Sequence, residues 1–429
     1  MNQMYRLLTG IALLLLLSDL KGQTESTPAE ILRRRLKDYC EAVPREEIYI
    51  HSDRDEYISG EDFWFKAYLI DRQTNSITSS SSVVYIELVN SDGRPVVRKR
   101  IGLNNGSGPG YFVLPDTLST GRYIIKAYTN WMKNFMPVNC FVKEIHIYNA
   151  LSSGSLRGKS VFHNQSLKVE SANIGILPEA GIDLKVIRKQ NAGTDISISS
   201  TSGFLSSGDD NCFLLIQTHG MVDLIKHVKL QAGEVITYVP DILLAPGINQ
   251  LVVFNSALKP LVVKYLYTPD KNKEYLNLQS EDTIYCRQKV SLKFDRMNDG
   301  SEMQDSGNYS ISVIPCNGRS GNAGIGDYMV FATEFGMLPE SIRNKSLSDI
   351  PADTIARFLE SARSNWIDWE RVMSGTLPSI KHFMEKDFHY LTGRYIDKMT
   401  RNPLGGKVLF LSSPGKTATF QYSRTASSG

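Results

Sequence analysis

The sequence lacks the motifs of several functional classes. GxSxG, HExxH and HxH motifs are absent, and the seven histidines are scattered, so their spacing defines no catalytic triad. The glycine-rich stretches 106–110 and 318–326 lack the lysine and the serine or threonine of a phosphate-binding loop. Forty-eight Lys plus Arg against 45 Asp plus Glu give a net charge of only +3, which argues against a dedicated nucleic-acid binder. We therefore expect a protein that is not an enzyme, needs no cofactor and binds no nucleic acid.

Cysteine is also scarce. The chain has five cysteines, at Cys40, Cys140, Cys212, Cys286 and Cys316. None belongs to a close pair such as CxxC, so we expect no zinc site. An odd number cannot pair completely, and an oxidising compartment would permit at most two disulfides with one thiol left over. We favour the alternative in which the cysteines are buried and pack as small apolar side chains.

One turn carries several acidic residues, Asp53, Asp55, Glu61 and Asp62. Calcium takes about six to eight oxygen ligands, so a group of acids is the kind of site it uses. This stretch lacks the glycine and the terminal glutamate of a calcium-binding loop. We therefore expect no metal site.

Residues 1–22 have the three parts of a secretory signal. Met1–Arg6 is short and basic, Leu7–Leu17 is almost wholly apolar, and Ser18–Gly22 is polar and ends on a small residue. The apolar run is far shorter than the ~20 residues needed to span a bilayer. We expect cleavage after Gly22 and export to the periplasm, the outer membrane or the cell surface, with no transmembrane segment after signal removal.

Two kinds of periodicity follow this signal. Thr27-Pro28-Ala29-Glu30 has the pattern of a capping box with proline at the first helical position, and apolar residues recur behind it at helical spacing. From Glu46 onward apolar residues alternate with a period of two, as in the run 123–127, and turn residues such as Asn104-Asn105-Gly106 separate these runs. About seven strands in about 100 residues predict a β-sandwich.

The same patterns predict the order of domains. We expect a signal peptide at 1–22, an amphipathic helix within 23–45, a β-sandwich at 46–150, a Ser- and Gly-rich linker at 151–172, a second β-sandwich at 173–270, a third β-domain at 271–378 and the start of a further, incomplete β-domain at 379–429. The third domain should contain strands at Lys289–Phe294 and Asn308–Ile314. Apolar residues at helical spacing, closed by Gly375, predict one helical insertion from Asp353 to Ser374.

The stretch Tyr49–Leu69 resembles the opening of the second macroglobulin domain of the alpha-2-macroglobulin family. That opening has a tyrosine, two residues, glycine-glutamate and then an alternating strand. Tyr57, Gly60 and Glu61 stand at the matching positions of this sequence. The resemblance implies that these three residues form a structural signature of the domain.

The run Phe112–Phe135 resembles the end of the same domain in large exported proteins of bacterial envelopes. It includes Gly121, Tyr123 and Trp131. Two more stretches, Gly247–Leu251 and Asp368–Gly375, resemble later segments of those proteins. The likeness covers about residues 45–411 and is strongest in the first domain.

The resemblance implies a mainly β fold of tandem macroglobulin-like β-sandwiches, of the immunoglobulin or fibronectin kind, with a short N-terminal helix and a helical insertion near 353–374. In longer relatives such domains continue into a carboxypeptidase-regulatory-like β-domain and a TonB-dependent receptor plug. The Gly-Cys-Gly-Glu-Gln thioester of alpha-2-macroglobulins is absent here, so covalent trapping of proteases is ruled out on the sequence.

We expect an exported, non-catalytic interaction or scaffold protein of the bacterial cell envelope. Its partners would be proteins, either components of an outer-membrane TonB-dependent transport system or proteases. The first alternative is an endopeptidase inhibitor of the alpha-2-macroglobulin type without thioester, which blocks by steric obstruction; a cleavable exposed segment would support it, and Ser152–Gly158 is the candidate. A carbohydrate-active enzyme or binder that depends on Asp53 or Glu61 is the third hypothesis.

Trp131, Met132 and Phe135 are the residues that we single out as a partner surface. Aromatic side chains near a strand end supply large contact areas in interfaces. The competing interpretation is that they belong to the core.

Overall fold

The computed structural model describes residues 27–150, 181–189, 193–206, 210–271, 276–281, 283, 285–296, 308–313, 323–343, 345–387, 393–413 and 419–429. The predicted signal peptide, the predicted linker, the candidate cleavable segment Ser152–Gly158 and Cys316 lie outside these ranges. The described chain is mainly β, with several sheets, one helix at its start, a short helix at Ser202–Leu205 and further helices after residue 323. No helix in these ranges is both long and apolar enough to cross a membrane.

Strands between Glu46 and Tyr148 form a first β-sandwich. Its strands are β1 (Glu46–Ser52), β2 (Glu56–Ile58), β3 (Asp62–Asp71), β4 (Ser76–Ile77), β5 (Val83–Val89), β6 (Pro95–Gly102), β7 (Ser107–Val113), β8 (Gly121–Tyr128) and β9 (Phe141–Tyr148). In one sheet β3 pairs with β1, β4 and β7, and the other sheet has the order β2-β9-β8-β5-β6. The strand β2 runs parallel to β9, and the other pairs of this unit are antiparallel.

Alternation along the strands builds the core of this sandwich. Ile48, Ile50 and Phe63 are fully buried between the two sheets, and so are the inward residues of the run 123–127, as predicted. The turn between β6 and β7, which lie in different sheets, has left-handed backbone at Gly106, where a Cβ would overlap a backbone carbonyl oxygen. A glycine is therefore required at this turn.

A second β-sandwich follows. Its strands are β10 (Ile182–Lys189), β11 (Gly193–Ser200), β12 (Asn211–Thr218), β13 (Met221–Lys229), β14 (Gly233–Val239), β15 (Gly247–Phe254) and β16 (Pro260–Thr268), with a short helix α2 (Ser202–Leu205) after β11. The sheets have the orders β10-β11-β14 and β13-β12-β15-β16. Every residue of β15 is buried, so the centre of the four-stranded sheet is covered on both of its faces.

Helices cover the outer face of that sheet. The first helix, α1 (Pro28–Ala42), begins at the predicted capping box. Leu32 and Leu36 of α1 pack with Leu215, Phe254 and Trp369, and Trp369 belongs to a later helix. The N-terminal helix therefore serves the second sandwich rather than the first, which is its neighbour in sequence.

The described residues between 323 and 374 contain three short α-helices, and we call this part of the chain the helical segment. It contains α3 (Ile325–Phe331), α4 (Ala352–Ser361) and α5 (Trp369–Ser374). The prediction of one helix over Asp353–Ser374 is therefore wrong. The backbone leaves the helical region at Ala362, and the Asp368 side chain accepts the backbone N–H groups of Glu370 and Arg371, which caps the start of a new helix.

Two short hairpins complete the described chain. They are β17 (Leu276–Gln279) with β18 (Lys293–Arg296), and β19 (Val408–Ser413) with β20 (Thr419–Arg424). Residues 308–313, predicted as a strand, have no regular secondary structure. They lie on the outer face of the first sandwich, where Lys66 donates to the carbonyl of Tyr309 (2.9 Å) and Tyr68 to the hydroxyl of Ser310 (2.7 Å).

Three of the four described cysteines, Cys40, Cys140 and Cys212, are buried, and Cys286 is exposed. The expectation of burial is thus confirmed for those three. Burial raises the pKa of the Cys40 and Cys140 thiols to about 12. Both therefore remain protonated at neutral pH and behave as small apolar side chains.

Candidate functional site

The signature residues Tyr57, Gly60 and Glu61 build the turn before β3. The Tyr57 ring is buried, and its hydroxyl donates to the Asp53 carboxylate at 2.6 Å. Gly60 takes a left-handed conformation (φ +92°). The Glu61 carboxylate accepts the backbone N–H of Ile58 at 2.7 Å. The Tyr57 and Glu61 side chains and the Gly60 backbone therefore stabilise the local structure of this turn.

Three of the four acidic residues of this turn form ion pairs with basic side chains. Arg54 lies 3.3 Å from the Asp53 carboxylate and 3.2 Å from that of Glu61, and Lys143 lies 2.6 Å from that of Asp55. Within the described ranges, no three His, Cys, Asp or Glu side chains are grouped so that they could hold a metal ion. The turn is a set of ion pairs at the edge of the sandwich.

Gly121, Tyr123 and Trp131 also have structural contacts. Gly121 is the first residue of β8. The Tyr123 hydroxyl donates to the carbonyl of Ser119, four residues earlier, at 3.0 Å, which resembles the tyrosine corner of β-sandwich domains. The Trp131 indole N–H donates to the carbonyl of Pro44 at 2.8 Å.

The predicted partner surface is not exposed as expected. Trp131 and Met132 are buried, and Phe135 is half-buried against the helices of the second sandwich. The chain turns inward after β8 as a 3₁₀ helix (Trp131–Phe135), which places Met132 in the first core. The expected exposure of Trp131 and Met132 is therefore wrong.

The same 3₁₀ helix binds another part of the chain, residues 381–385, which we call the latch. The side-chain oxygen of Asn134 accepts the backbone N–H groups of Lys381 (2.8 Å) and His382 (2.9 Å), and its amide donates to the carbonyl of His382 (2.6 Å). Asn130 donates to the carbonyl of Phe383 at 2.9 Å. These amides pair with a peptide backbone as a neighbouring strand would.

The last residue of the latch, Glu385, enters a pocket beside β5. Its side chain is 1% exposed, and the Tyr85 hydroxyl lies 3.0 Å from each carboxylate oxygen. The backbone N–H and the hydroxyl of Ser82 donate to the Glu385 carbonyl at 2.7 and 2.8 Å. We call the set of Ser82, Tyr85, Asn130, Lys133 and Asn134 the latch cleft.

Lys133 supplies the positive charge of the latch cleft. Its ammonium lies 4.0 Å from the centre of the Tyr85 ring and donates to the Asn130 side chain at 3.0 Å. Burial lowers the pKa of Lys133, and the charge of Glu385 partly offsets this effect. Burial and the hydrogen bond to Glu385 raise the pKa of Tyr85 to about 12, so its hydroxyl remains a donor.

A second group of buried polar residues joins the first sandwich to the helical segment. It comprises Arg45, Glu47, Arg72, Thr333 and Glu334, and we call it the charged junction. Arg45 lies 3.0 Å from the Glu47 carboxylate and donates to the Thr333 hydroxyl at 2.8 Å. The Thr333 hydroxyl also lies 2.7 Å from the Glu47 carboxylate.

Arg72 is the fully buried cation of the charged junction. Its guanidinium donates to the Glu334 carboxylate (3.1 Å) and to the carbonyls of Met329 and Val330 at the end of α3. Ser364 donates to the other Glu334 oxygen at 2.8 Å. A cation at a helix C-terminus also complements the helix dipole.

An exposed pair of aromatic rings lies on the outer face of the first sandwich. Trp64 on β3 and Tyr111 on β7 are cross-strand partners, 52% and 45% exposed, with ring centres 4.6 Å apart. Lys99 lies 5.0 Å from the Tyr111 ring centre, and Val113 is exposed beside them. We call Trp64, Lys99, Tyr111 and Val113 the aromatic face. Sequence reasoning missed it, although the outward position of Trp64 between two buried phenylalanines was the available signal.

Two buried titratable groups lie in the second sandwich. Burial lowers the pKa of His219 to about 2, so its ring is neutral, and its Nδ1 lies 3.1 Å from the Asn75 amide. Burial raises the pKa of Asp223 to about 6, although its carboxylate accepts the Thr218 hydroxyl at 2.6 Å. His227 contacts Asn211 at 3.2 Å and is exposed, so it does not join His219 in one site.

No family model matches the chain, and no curated protein matches it. Among solved structures it is similar to Salmonella alpha-2-macroglobulin reacted with methylamine, at 11% identity, and to the native conformation of E. coli alpha-2-macroglobulin, at 13% identity, each with a TM-score of 0.21. Each alignment covers 58% of this chain and 16% of the other, so this chain spans about a sixth of their length.

A further similar structure is the BSP domain of a biofilm-associated protein. It is 13% identical, with a TM-score of 0.15, and the alignment covers 54% of this chain and 30% of that one. Similarities at these TM-scores carry no argument about family membership or function.

Proposed function

We propose that this protein is a non-catalytic interaction scaffold that binds a protein partner through its aromatic face. The proposal rests on a contrast between buried charged residues, which have partners within the chain, and exposed aromatic residues. The buried charges of the charged junction fasten one part of the chain to another, whereas Trp64 and Tyr111 are held at the surface of a strand pair.

The helical segment connects the two sandwiches. Through Arg72 and Glu334 it is held on the first sandwich, and through its tryptophans it is held on the second. The Trp369 indole donates to the Gln250 side chain at 3.0 Å, and the carbonyl of Trp366 accepts the Tyr39 hydroxyl at 2.9 Å. The contacts at both ends of this connection are buried, so we expect the two sandwiches to keep a fixed relative position, as a scaffold requires.

The aromatic face has the composition of an interface centre. Tryptophan and tyrosine are enriched among the residues that contribute most to protein–protein binding. The stacked rings of Trp64 and Tyr111 lie on neighbouring strands, so little rotamer entropy is lost when a partner covers them. Lys99 over the Tyr111 ring adds a positive charge at the rim.

We further propose that the protein acts in the bacterial cell envelope, beside an outer-membrane TonB-dependent transport system. Support comes from the signal-like residues 1–22 and from the sequence resemblance around Tyr57, Gly60 and Glu61. These parts of the proposal do not depend on the aromatic face and are tested separately by locating the protein in cell fractions.

Site-specific photo-crosslinking tests the partner surface. A photoreactive residue replaces Val113 in the full chain, which is then irradiated in envelope extract. A matched variant carries the same residue at Ile242, which is 91% exposed and lies on the second sandwich. We expect a defined adduct at position 113 that is lost in a Trp64→Ala background and absent from position 242. Identical adducts at both positions, or none at 113, would overturn the proposal.

A further inference from the structure

Most contacts between the latch and its cleft are made to the latch backbone. Asn134, Asn130 and Ser82 bind N–H and C=O groups of residues 381–383 and 385. The Phe383 side chain points away and is 71% exposed. Backbone-directed recognition accepts many sequences, as in the addition of a peptide strand to a sheet edge.

The Glu385 side chain supplies the chemical selectivity. Its carboxylate is buried against the Tyr85 hydroxyl. The Lys133 ammonium lies over the ring of the same tyrosine. Hydrogen bonds to an ionised carboxylate are stronger than those between neutral groups. A segment without an acidic side chain at this position would remove the acceptor of the Tyr85 hydroxyl and the negative charge near Lys133.

The latch also has the features of a segment that can leave its cleft while the rest of the chain stays folded. Residues 376–387 carry no helix or strand, and the neighbours Lys386 and Asp387 are exposed. Segments with few buried contacts open locally far more often than the whole chain unfolds. Each hydrogen bond that is lost on opening is largely replaced by one to water.

We propose that the latch cleft is a second binding site, distinct from the aromatic face, that takes an extended peptide segment with an acidic side chain. In the closed chain the latch occupies this site, and an acidic segment of a partner protein displaces it. The latch thus keeps the site covered until a competing segment arrives.

The test uses a fluorescent peptide with the sequence of residues 379–387 as the probe. We measure its binding to the full chain and to a Glu385→Ala variant by fluorescence anisotropy. In the intact chain the latch competes at an effective concentration on the order of millimolar. We therefore expect the peptide to bind Glu385→Ala at least tenfold more tightly than the unchanged chain. The control variant Asp387→Ala removes a neighbouring exposed acid and should bind like the unchanged chain.

A second peptide, in which glutamine replaces the glutamate at position 385, tests the acidic selectivity. We expect it to bind Glu385→Ala at least tenfold more weakly than the first peptide. Equal binding of the two peptides, or equal binding of the first peptide to both chains, would refute the proposal.

The variant Tyr85→Phe provides a readout that does not depend on the peptide. It keeps the ring under Lys133 and removes only the hydroxyl that Glu385 accepts from. We expect amide hydrogen exchange at residues 381–385 to accelerate at least tenfold, with unchanged exchange in β1 and β3. Unchanged exchange in the latch would show that the carboxylate does not hold it, and the proposal would fail even if Glu385→Ala did not fold.

Discussion

Replacing Arg72 by methionine tests the charged junction. Methionine keeps much of the length of the arginine stem and removes the guanidinium. The change leaves the buried Glu334 carboxylate without its cation, and it leaves the carbonyls of Met329 and Val330 without the donors that Arg72 provides. Two carbonyls at a helix end and one carboxylate oxygen must then be solvated or remain unsatisfied.

The expected cost follows from the burial of both partners. Arg72 is fully buried and Glu334 nearly so, and removal of one partner of a buried ion pair costs about 3–5 kcal/mol. The double variant Arg72→Met with Glu334→Gln no longer buries a lone charge. We therefore expect it to be no less stable than Arg72→Met alone, with a coupling of about 1–3 kcal/mol between the two positions.

Urea unfolding followed by tryptophan fluorescence measures this cost, since Trp366 and Trp369 lie in the segment that the junction holds. Arg98→Met is the matched control, because Arg98 pairs with Glu87 at the same distance of 3.1 Å but is largely exposed. Exposed pairs contribute about 0–1 kcal/mol. An Arg72→Met cost below about 1 kcal/mol, or costs of the single variants that simply add in the double variant, would refute the argument.

Three further results are expected. The pKa of Asp223 is about 6 in the folded chain and about 4 in the unfolded chain, so its contribution to the free energy of unfolding falls as pH rises from about 4 to about 6. Asp223→Asn should remove up to about 3 kcal/mol of that fall, measured by urea titrations at several pH values. The control Asp92→Asn, at an exposed position, should leave the pH dependence unchanged. Gly106→Ala should cost about 2 kcal/mol or more in thermal unfolding, and Gly93→Ala only about 1, because both glycines have positive φ but only the Cβ at 106 meets other atoms. The mature chain should leave the cleavage of a folded substrate by a panel of endoproteases unimpaired; a loss of protease activity on nicking of the chain would instead favour an inhibitor.

Local sequence patterns were sufficient for the strands of the first sandwich and for the first helix. Burial of Ile48 and Ile50 follows from a period of two, and the start of α1 follows from the capping box at Thr27 and Glu30. Both signals involve residues that are close in sequence. Tertiary context did not have to be known to interpret them.

The errors of prediction come from distant contacts. The helix expected over Asp353–Ser374 is interrupted where Ser364 and Asn365 bind Glu334 and the carbonyl of Thr333, about 30 residues earlier. Their hydrogen bonds replace those of a continuous helix. Spacing of apolar residues contains no information on such partners.

The latch cleft was not predicted for the same reason. Trp131 was expected at the surface, but its indole finds the carbonyl of Pro44, 87 positions away. Asn134 and Tyr85 meet the latch across 248 and 300 positions. An asparagine after a strand gives no sign in the sequence that it pairs with a peptide backbone.

The first helix leaves the ribosome long before the surface that it covers. The Tyr39 hydroxyl of α1 donates to the carbonyl of Trp366, which is synthesised 327 residues later. Leu36 packs with Phe254, which also follows much later in the chain. Until then its apolar stripe has no native partner, and the second sandwich, once made, shows an apolar outer face. Such surfaces are what chaperones and quality-control proteases recognise. A chain cut short before Trp366 would leave part of this apolar surface uncovered, and we expect it to be degraded faster by proteases than the full chain.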